Sequence, residues 1–344
     1  MVLYSRNAIL IVLHSHFIAI CSIIELAMTS SIRKTAETIK NSPFFKGSLY
    51  FDHPLAPLTT MHVGGKAAVF VEPQDVESAA FALKTFSQEG FCPFILGGGS
   101  NLIVSDSGFS QAVLSTKRLC DISISTKDNS YTVVSAGSGA KTDDIVSLCA
   151  QKGIAGMQKF AGLPGSIGGA CFMNARCYEK SISDIIESVS YLDAKDNYTL
   201  KEYSFDSKDW AYKHSPFAEG TKIIVQVKLK LALPNLDAVQ RLNNEGKGYI
   251  ADREQKGHFS YPSAGSVFKN NRSFGKPSGA LIDECGLKGL SVGDAQIAPW
   301  HGNFIINRGK ASASDIRQLI EQVQKVVGEK TGFTLEPEVI FCGR

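Results

Sequence analysis

The amino-acid sequence predicts an α+β protein organised in two or three domains. Its 344 residues include 44% apolar and 20% charged side chains, an ordinary globular composition with enough length for several hydrophobic cores. Segments with strand-like alternation are interspersed with segments of helical periodicity. Two glycine-rich loops, 96–102 and 162–170, each follow a predicted strand. The chain shows no internal repeat and no low-complexity tract.

The first 27 residues do not fit this pattern. Residues 8–27 form an apolar run that resembles a signal peptide or a short membrane anchor. His14 and Glu25 interrupt the run and would be costly inside a bilayer. Met28 opens a polar segment that is a natural start for a soluble protein. We therefore expect residues 1–27 to be a non-native start or a targeting segment, and we expect no membrane partner.

The first subdomain is predicted over residues 28–112. Residues 67–73 have the pattern of a strand, and apolar residues between Val76 and Phe86 then recur at helical spacing. A second strand over 92–96 leads into the first glycine loop. These elements predict a βαβ-like unit.

The second subdomain is predicted over residues 113–235. Its predicted elements come in this order: strands over 111–115 and 131–136, a short helix ending at Gly153, the second glycine loop, and a hairpin of 186–192 with 198–203. Strict alternation from Val225 to Leu231 then predicts a half-buried strand.

A C-terminal domain is predicted over residues 236–344, because Pro234-Asn235 ends the strand pattern and a polar segment with Asn243 and Asn244 follows as a boundary region. A single apolar stripe between Ile316 and Val327 predicts one helix, with Ser312 or Ser314 as its cap. Alternation over 333–342 predicts a last strand, on which Glu336 and Glu338 share a face.

The glycine loops predict a phosphate-bearing cofactor. Glycine lacks a Cβ, so successive backbone N–H groups can approach a pyrophosphate closely. Neither loop has the G-x-G-x-x-G fingerprint or the Gly-Lys-Ser/Thr ending of a P-loop, which disfavours a Rossmann dehydrogenase and a P-loop ATPase.

Charge and cysteine content argue against other partners. The formal net charge of +3 is too small and too evenly spread to indicate nucleic acid. The eight cysteines contain no C-x-x-C pair, so we expect no metal site and no redox dithiol.

From about residue 50 to the end, the chain resembles the UDP-N-acetylenolpyruvoylglucosamine reductase family. Besides the two glycine loops, the motifs that carry this resemblance are segments 60–65, 173–175, 212–215, 261–270 and 335–339. The resemblance implies a vanillyl-alcohol-oxidase-like fold, with two FAD-binding subdomains and a C-terminal substrate-binding domain. The chain lacks room for the substrate-covering insertion of one subclass, which indicates the shorter class.

The family implies a cytoplasmic, monomeric flavoenzyme of peptidoglycan precursor synthesis, important for the cell wall and hence for cell shape and division. NADPH is the expected cosubstrate, FAD is bound noncovalently, and UDP-N-acetylglucosamine enolpyruvate is reduced to UDP-N-acetylmuramate. The residues expected to contact FAD are His62, Gly64, Gly65, Leu96, Gly97, Gly98, Gly99, Ser100, Asn101, Leu102, Gly162, Gly165, Ser166, Gly168 and Gly169.

Ser266 and Glu338 correspond to the proton-donating serine and the catalytic glutamate of the family. Glu336 is close in sequence, and two neighbouring carboxylates favour keeping one of them protonated. The family usually has arginine where this chain has Lys213, and lysine lacks the two-pronged donor geometry. We hypothesise that Arg176, which follows the second glycine loop, supplies the missing guanidinium.

The residues expected to bind substrate are Tyr212, Lys269 and Asn270. Two other functions stay open on the sequence alone. The chain could be another FAD-linked sugar or lactone oxidoreductase, which would not need Ser266 or Glu338. It could also be a flavin-binding homologue that has lost catalysis, as the missing arginine suggests.

Overall fold

The computed structural model describes residues 28–343, so the segment 1–27 lies outside it. A helix over 28–40 (α1) precedes a four-stranded sheet. The strands of this sheet are β1 (Gly47–Pro54), β2 (Lys66–Pro73), β3 (Phe94–Leu96) and β5 (Phe109–Ser115), in the order β1-β2-β5-β3. Helix α2 (Val76–Gln88) connects β2 to β3 and buries Leu83 and Phe86. The predicted βαβ unit is confirmed, with β5 inserted between its two strands.

A five-stranded antiparallel sheet forms the second part of the molecule. Its strands are β6 (Ile122–Lys127), β7 (Tyr131–Gly137), β10 (Ile186–Asp193), β11 (Thr199–Ser204) and β12 (Lys222–Leu231), in the order β11-β10-β12-β7-β6. The predicted hairpin, β10 with β11, is confirmed. The alternation of β12 is confirmed too, because Val225, Val227 and Leu229 are at most 2% exposed. Helices α3 (Thr142–Gln151) and α4 (Ile167–Phe172) pack beside this sheet.

The polar segment that predicts a domain boundary is a helix, α5 (Val239–Gln255). Leu242 is 1% exposed and packs with Ala150 of α3. The asparagines and glycines of α5 disfavour a helix intrinsically, and this packing against the second sheet's helices overrides their preference. The boundary at 235/236 stays a prediction. Helix α5 itself packs with elements that precede it in the chain, such as α3.

The C-terminal part is built on the sheet β13-β16-β15-β14. Its elements are β13 (Ser263–Ser266), α6 (Ser278–Glu284), β14 (Ser291–Val292), β15 (Ala295–Ile297), β16 (Phe304–Asn307) and α7 (Ala313–Thr331). Ser312 caps α7 and forms a capping box with Asp315. The predicted apolar stripe of α7 is buried, with Ile316 and Val327 fully so.

The end of the chain returns to the first subdomain. Strand β17 (Ile340–Cys342) pairs in parallel with β4 (Leu102–Val104), which follows the first glycine loop. The predicted strand over 333–342 is therefore too long. Pro337 has no N–H to donate, and it contributes only an isolated bridge to Phe268. Two further strands, β8 (Arg176–Cys177) and β9 (Lys180–Ser181), form a small hairpin. Within residues 28–343, every helix is too short or too polar to span a bilayer.

Candidate active site

A cavity of about 1290 Å³ lies where the two glycine loops face the C-terminal sheet. Pockets for a single drug-sized ligand usually measure about 300–1000 Å³. The cavity therefore has room for a dinucleotide together with a second molecule.

The two glycine loops touch each other directly at one side of this cavity. A Cβ on Gly98 would lie 2.4 Å from Cα of Gly165, which leaves space only for glycine. Gly99 has φ +64°, and a Cβ there would lie 2.1 Å from the carbonyl oxygen of Leu58. The glycines thus permit two backbones to meet and turn their polar groups toward the cavity.

Several polar groups at these loops lack a protein partner. The backbone N–H groups of residues 97–101 donate no hydrogen bond to any acceptor in the described part of the chain. The hydroxyl of Ser138, which lines the cavity, is buried without a partner among the described residues. Buried polar groups are normally paired, and successive free N–H groups bind anions. These residues therefore fit the diphosphate of a dinucleotide cofactor.

Most residues expected to contact the cofactor line the cavity. Those that do are His62, Gly97, Gly98, Gly99, Ser100, Asn101, Leu102, Gly162, Ser166, Gly168 and Gly169. The other four, Gly64, Gly65, Leu96 and Gly165, do not line it. A Cβ on Gly64 would lie 2.5 Å from Val104, and Leu96 is buried. These four permit close packing behind the loops, and a direct cofactor contact for them stays a prediction.

All four candidate catalytic residues, Ser266, Glu338, Lys213 and Arg176, line the cavity. The amine of Lys213 donates to the carboxylate of Glu338 at 2.5 Å, and these side chains are only 14% and 11% exposed. The backbone N–H of Glu338 donates to the carbonyl of Val267, the residue after Ser266, at 2.7 Å. A buried ion pair and the candidate proton donor therefore line the same cavity.

Arg176 is less closely connected to this group. It is exposed, and its guanidinium contacts the hydroxyl of Ser181 at 3.5 Å. In the structure Lys213, not Arg176, contacts Glu338. Whether Arg176 replaces the usual arginine stays a hypothesis.

Tyr212, Lys269 and Asn270 do not line the cavity. The backbone N–H of Asn270 donates to the hydroxyl of Tyr212 at 3.4 Å, so these residues lie together beside the site. Lys269 pairs with Glu336, whose side chain is 69% exposed. The two glutamates thus bind different lysines. The assignment of these three residues to substrate binding stays a prediction.

Sequence reasoning missed a group of residues at the other side of the cavity, around α5. Arg253 is 8% exposed and donates from Nε to the carbonyl of Ala161 at 3.0 Å. Its guanidinium lies 5.2 Å from the ring centre of Tyr178. Burial and the positive charge of Arg253 lower the pKa of His258 to about 4, so this histidine is neutral at pH 7. No motif marks Arg253, which lies near the end of α5, or His258, which follows that helix, and only the folded chain brings them to the cavity.

Comparison with known proteins identifies the family. A family model described as "UDP-N-acetylenolpyruvoylglucosamine reductase, C-terminal domain" matches residues 257–342, and one described as "FAD binding domain" matches residues 67–199. A UDP-N-acetylenolpyruvoylglucosamine reductase of Treponema denticola is 46% identical over 318 residues, covering 89% of this chain and 97% of the relative. The chain belongs to the UDP-N-acetylenolpyruvoylglucosamine reductase family. It is an FAD-dependent oxidoreductase.

Other members of the reductase family agree. The enzyme of Borreliella burgdorferi is 38% identical over 290 residues, covering 84% of this chain and 93% of the relative. The crystal structure of the reductase from Thermus caldophilus superposes with a TM-score of 0.67 at 31% identity, covering 87% of this chain and 99% of that one. The predicted α+β FAD-binding fold with a C-terminal domain is confirmed.

The contact between the glycine loops gives a first prediction. Gly98→Ala should strongly reduce FAD retention, because the new methyl would force the two loops apart. Gly248→Ala is the matched control, since a Cβ there meets nothing within 4 Å. The measurement is the flavin-to-protein ratio after purification, followed by FAD titration of the apoprotein. Equal FAD affinity in both variants would contradict the role of the loop contact.

Proposed function

We propose that this reductase uses NADPH to convert UDP-N-acetylglucosamine enolpyruvate into UDP-N-acetylmuramate, with Ser266 as the proton donor. The observation that carries the proposal is the buried Lys213–Glu338 pair, which lines the same cavity as Ser266. Because reduced nicotinamide and nucleotide sugars are cytosolic, we also expect a cytoplasmic enzyme, and we expect a monomer.

The backbone N–H groups of residues 97–101 and the hydroxyl of Ser138 would hold the diphosphate of FAD. When bound, FAD supplies two-electron transfer from the nicotinamide to the β-carbon of the enolpyruvyl group. Reduction at that carbon leaves negative charge on an enolate conjugated with the substrate carboxylate. The chain must therefore provide positive charge and one proton.

Lys213 provides the positive charge. Its side chain is 14% exposed and lines the cavity, so solvent screens its charge less than a surface charge. Glu338 accepts its hydrogen bond and so fixes where that charge lies.

Ser266 provides the proton to the α-carbon. Gly265 precedes it with φ +72°, and the β13–β16 register shifts between Ser263 and Ser266. This irregular backbone presents the serine hydroxyl at the cavity wall. A serine hydroxyl is a weak acid, so its neighbours must return a proton to it or stabilise the alkoxide. We propose Glu338, whose backbone bonds to the residue after Ser266, and Lys213, which pairs with Glu338, for this role.

A comparison of two variants tests which cation acts. Lys213→Ala should slow reoxidation of the flavin by the enolpyruvyl substrate on the order of 10²-fold, as expected for a lost donor to developing charge. Arg176→Ala should change this rate little, because Arg176 is exposed and does not contact Glu338. Anaerobic single-turnover measurements give both rates. If Arg176→Ala slows reoxidation more than Lys213→Ala does, Arg176 supplies the positive charge. If both variants reoxidise at the wild-type rate, another residue supplies it.

A further inference from the structure

The turn that carries Lys213 is closed by hydrogen bonds at its base. Ala211 and His214 form an isolated bridge, in which each backbone N–H donates to the other residue's carbonyl, at 3.2 and 3.1 Å. Lys213 lies inside this turn with φ +57°. A lysine adopts this left-handed conformation only where its surroundings hold it there. The position of its amine therefore depends on what fixes residues 211–215.

Both ends of this turn are attached to the last residue of α4 or to the segment that follows it. The side-chain amide of Asn174 donates to the carbonyl of Ala211 at 2.8 Å. Asn174 is 4% exposed, and its Oδ1 accepts the backbone N–H of Ser183 at 3.3 Å. The hydroxyl of Ser215 donates to the carbonyl of Phe172 at 2.7 Å. Because α4 begins in the second glycine loop, that loop and the Lys213 turn are joined through residues 172–174.

Glu338 is attached to the first glycine loop in a similar way. The side-chain amide of Asn101 donates to the carbonyl of Glu338 at 2.9 Å. The same amide nitrogen lies 3.8 Å from the sulfur of Met173, the residue before Asn174. Asn101, in the first glycine loop, therefore holds the backbone of Glu338. Asn174, just after the second glycine loop, holds the backbone of the Lys213 turn.

We propose that Asn174 and Asn101 are positioning residues that set the geometry of this pair from the cofactor-binding loops. Asn174 fixes the Lys213 turn, and Asn101 fixes the backbone of Glu338. The loops that hold FAD therefore also align the charged groups that act on the substrate. The inference rests on the proposed roles of Lys213 and Glu338.

Asn174→Asp tests the inference in the FAD-loaded enzyme. Aspartate keeps the size of the side chain and the acceptor for Ser183, but it puts a carboxylate oxygen against the carbonyl of Ala211. We expect acetic anhydride to acetylate Lys213 several-fold faster, as followed by peptide mass spectrometry. Flavin content and flavin reduction by NADPH should be unchanged. Reoxidation by substrate should slow on the order of 10-fold to 10²-fold, the usual cost of a small misplacement.

Asn307→Asp is the matched control. Asn307 is 3% exposed, and its amide also donates to a backbone carbonyl, that of Met61 at 3.0 Å. This variant should not change the labelling rate of Lys213. If Asn307→Asp raises the labelling rate as much as Asn174→Asp does, a general destabilisation of the fold explains the effect and the inference is overturned.

The remaining outcomes separate the inference from the proposed function. Wild-type labelling and reoxidation in Asn174→Asp would overturn the positioning role. Faster labelling with unchanged reoxidation would support positioning of Lys213 and overturn its proposed catalytic role. If Asn174→Asp does not fold, Asn174→Ala removes the same amide donor without adding a charge. Unchanged Lys213 labelling in that variant would overturn the inference.

Discussion

Ser266→Ala should leave reduction of the flavin by NADPH nearly intact and slow its reoxidation by the enolpyruvyl substrate. Only the second half-reaction needs a proton at the α-carbon. General acid catalysis typically contributes about 10²- to 10⁴-fold, which sets the size of the expected loss. Stopped-flow absorbance under anaerobic conditions measures each half-reaction separately.

Ser291→Ala is the control for this variant. Ser291 lies on the exposed side of β14 and does not line the cavity. Both half-reactions should therefore proceed in it at wild-type rates. Equal slowing of the two half-reactions in Ser266→Ala would show that this residue supports folding or cofactor binding and is not the proton donor.

Glu338→Gln should impair turnover much more than FAD retention. The substitution keeps the shape of the side chain but removes the charge that pairs with the buried Lys213 amine. Removing one partner of a buried pair leaves the other charge uncompensated, so the ammonium is no longer held at its position. We expect reoxidation by substrate to fall on the order of 10²-fold or more.

Glu336→Gln provides a comparison on the same segment. Glu336 also pairs with a lysine, but its side chain is 69% exposed, and exposed ion pairs contribute little. Its effect on turnover should be mild. A larger effect for Glu336→Gln than for Glu338→Gln would contradict the assignment of the catalytic carboxylate.

The sequence predicts those helices and strands whose apolar pattern is contained within one continuous segment. The alternation of β12 and the stripe of α7 are each complete within one segment, so periodicity alone identifies them. Helix α5 was missed because its residues favour a helix weakly and packing of Leu242 supplies the stability. The pairing of β17 with β4 was missed because it joins three-residue strands from distant parts of the chain.

The candidate site divides in a similar way. The glycine loops and Ser266 lie in local motifs, so the sequence and the family resemblance together point to them. The contact between Gly98 and Gly165 and the attachment of Lys213 through Asn174 join distant segments that no motif spans. Arg253 reaches the cavity from a helix that lacks any recognisable motif.

An anaerobic titration of the flavin tests the central claim most directly. NADPH should bleach the yellow FAD-loaded protein, and UDP-N-acetylglucosamine enolpyruvate should then restore the colour in the absence of oxygen. Recolouring only by oxygen, with no response to that substrate, would contradict the proposed reaction and favour a sugar or lactone oxidoreductase. Failure of NADPH to bleach the flavin would contradict the proposed use of NADPH. If NADH also fails to bleach it, the result would favour a flavin-binding protein without this activity.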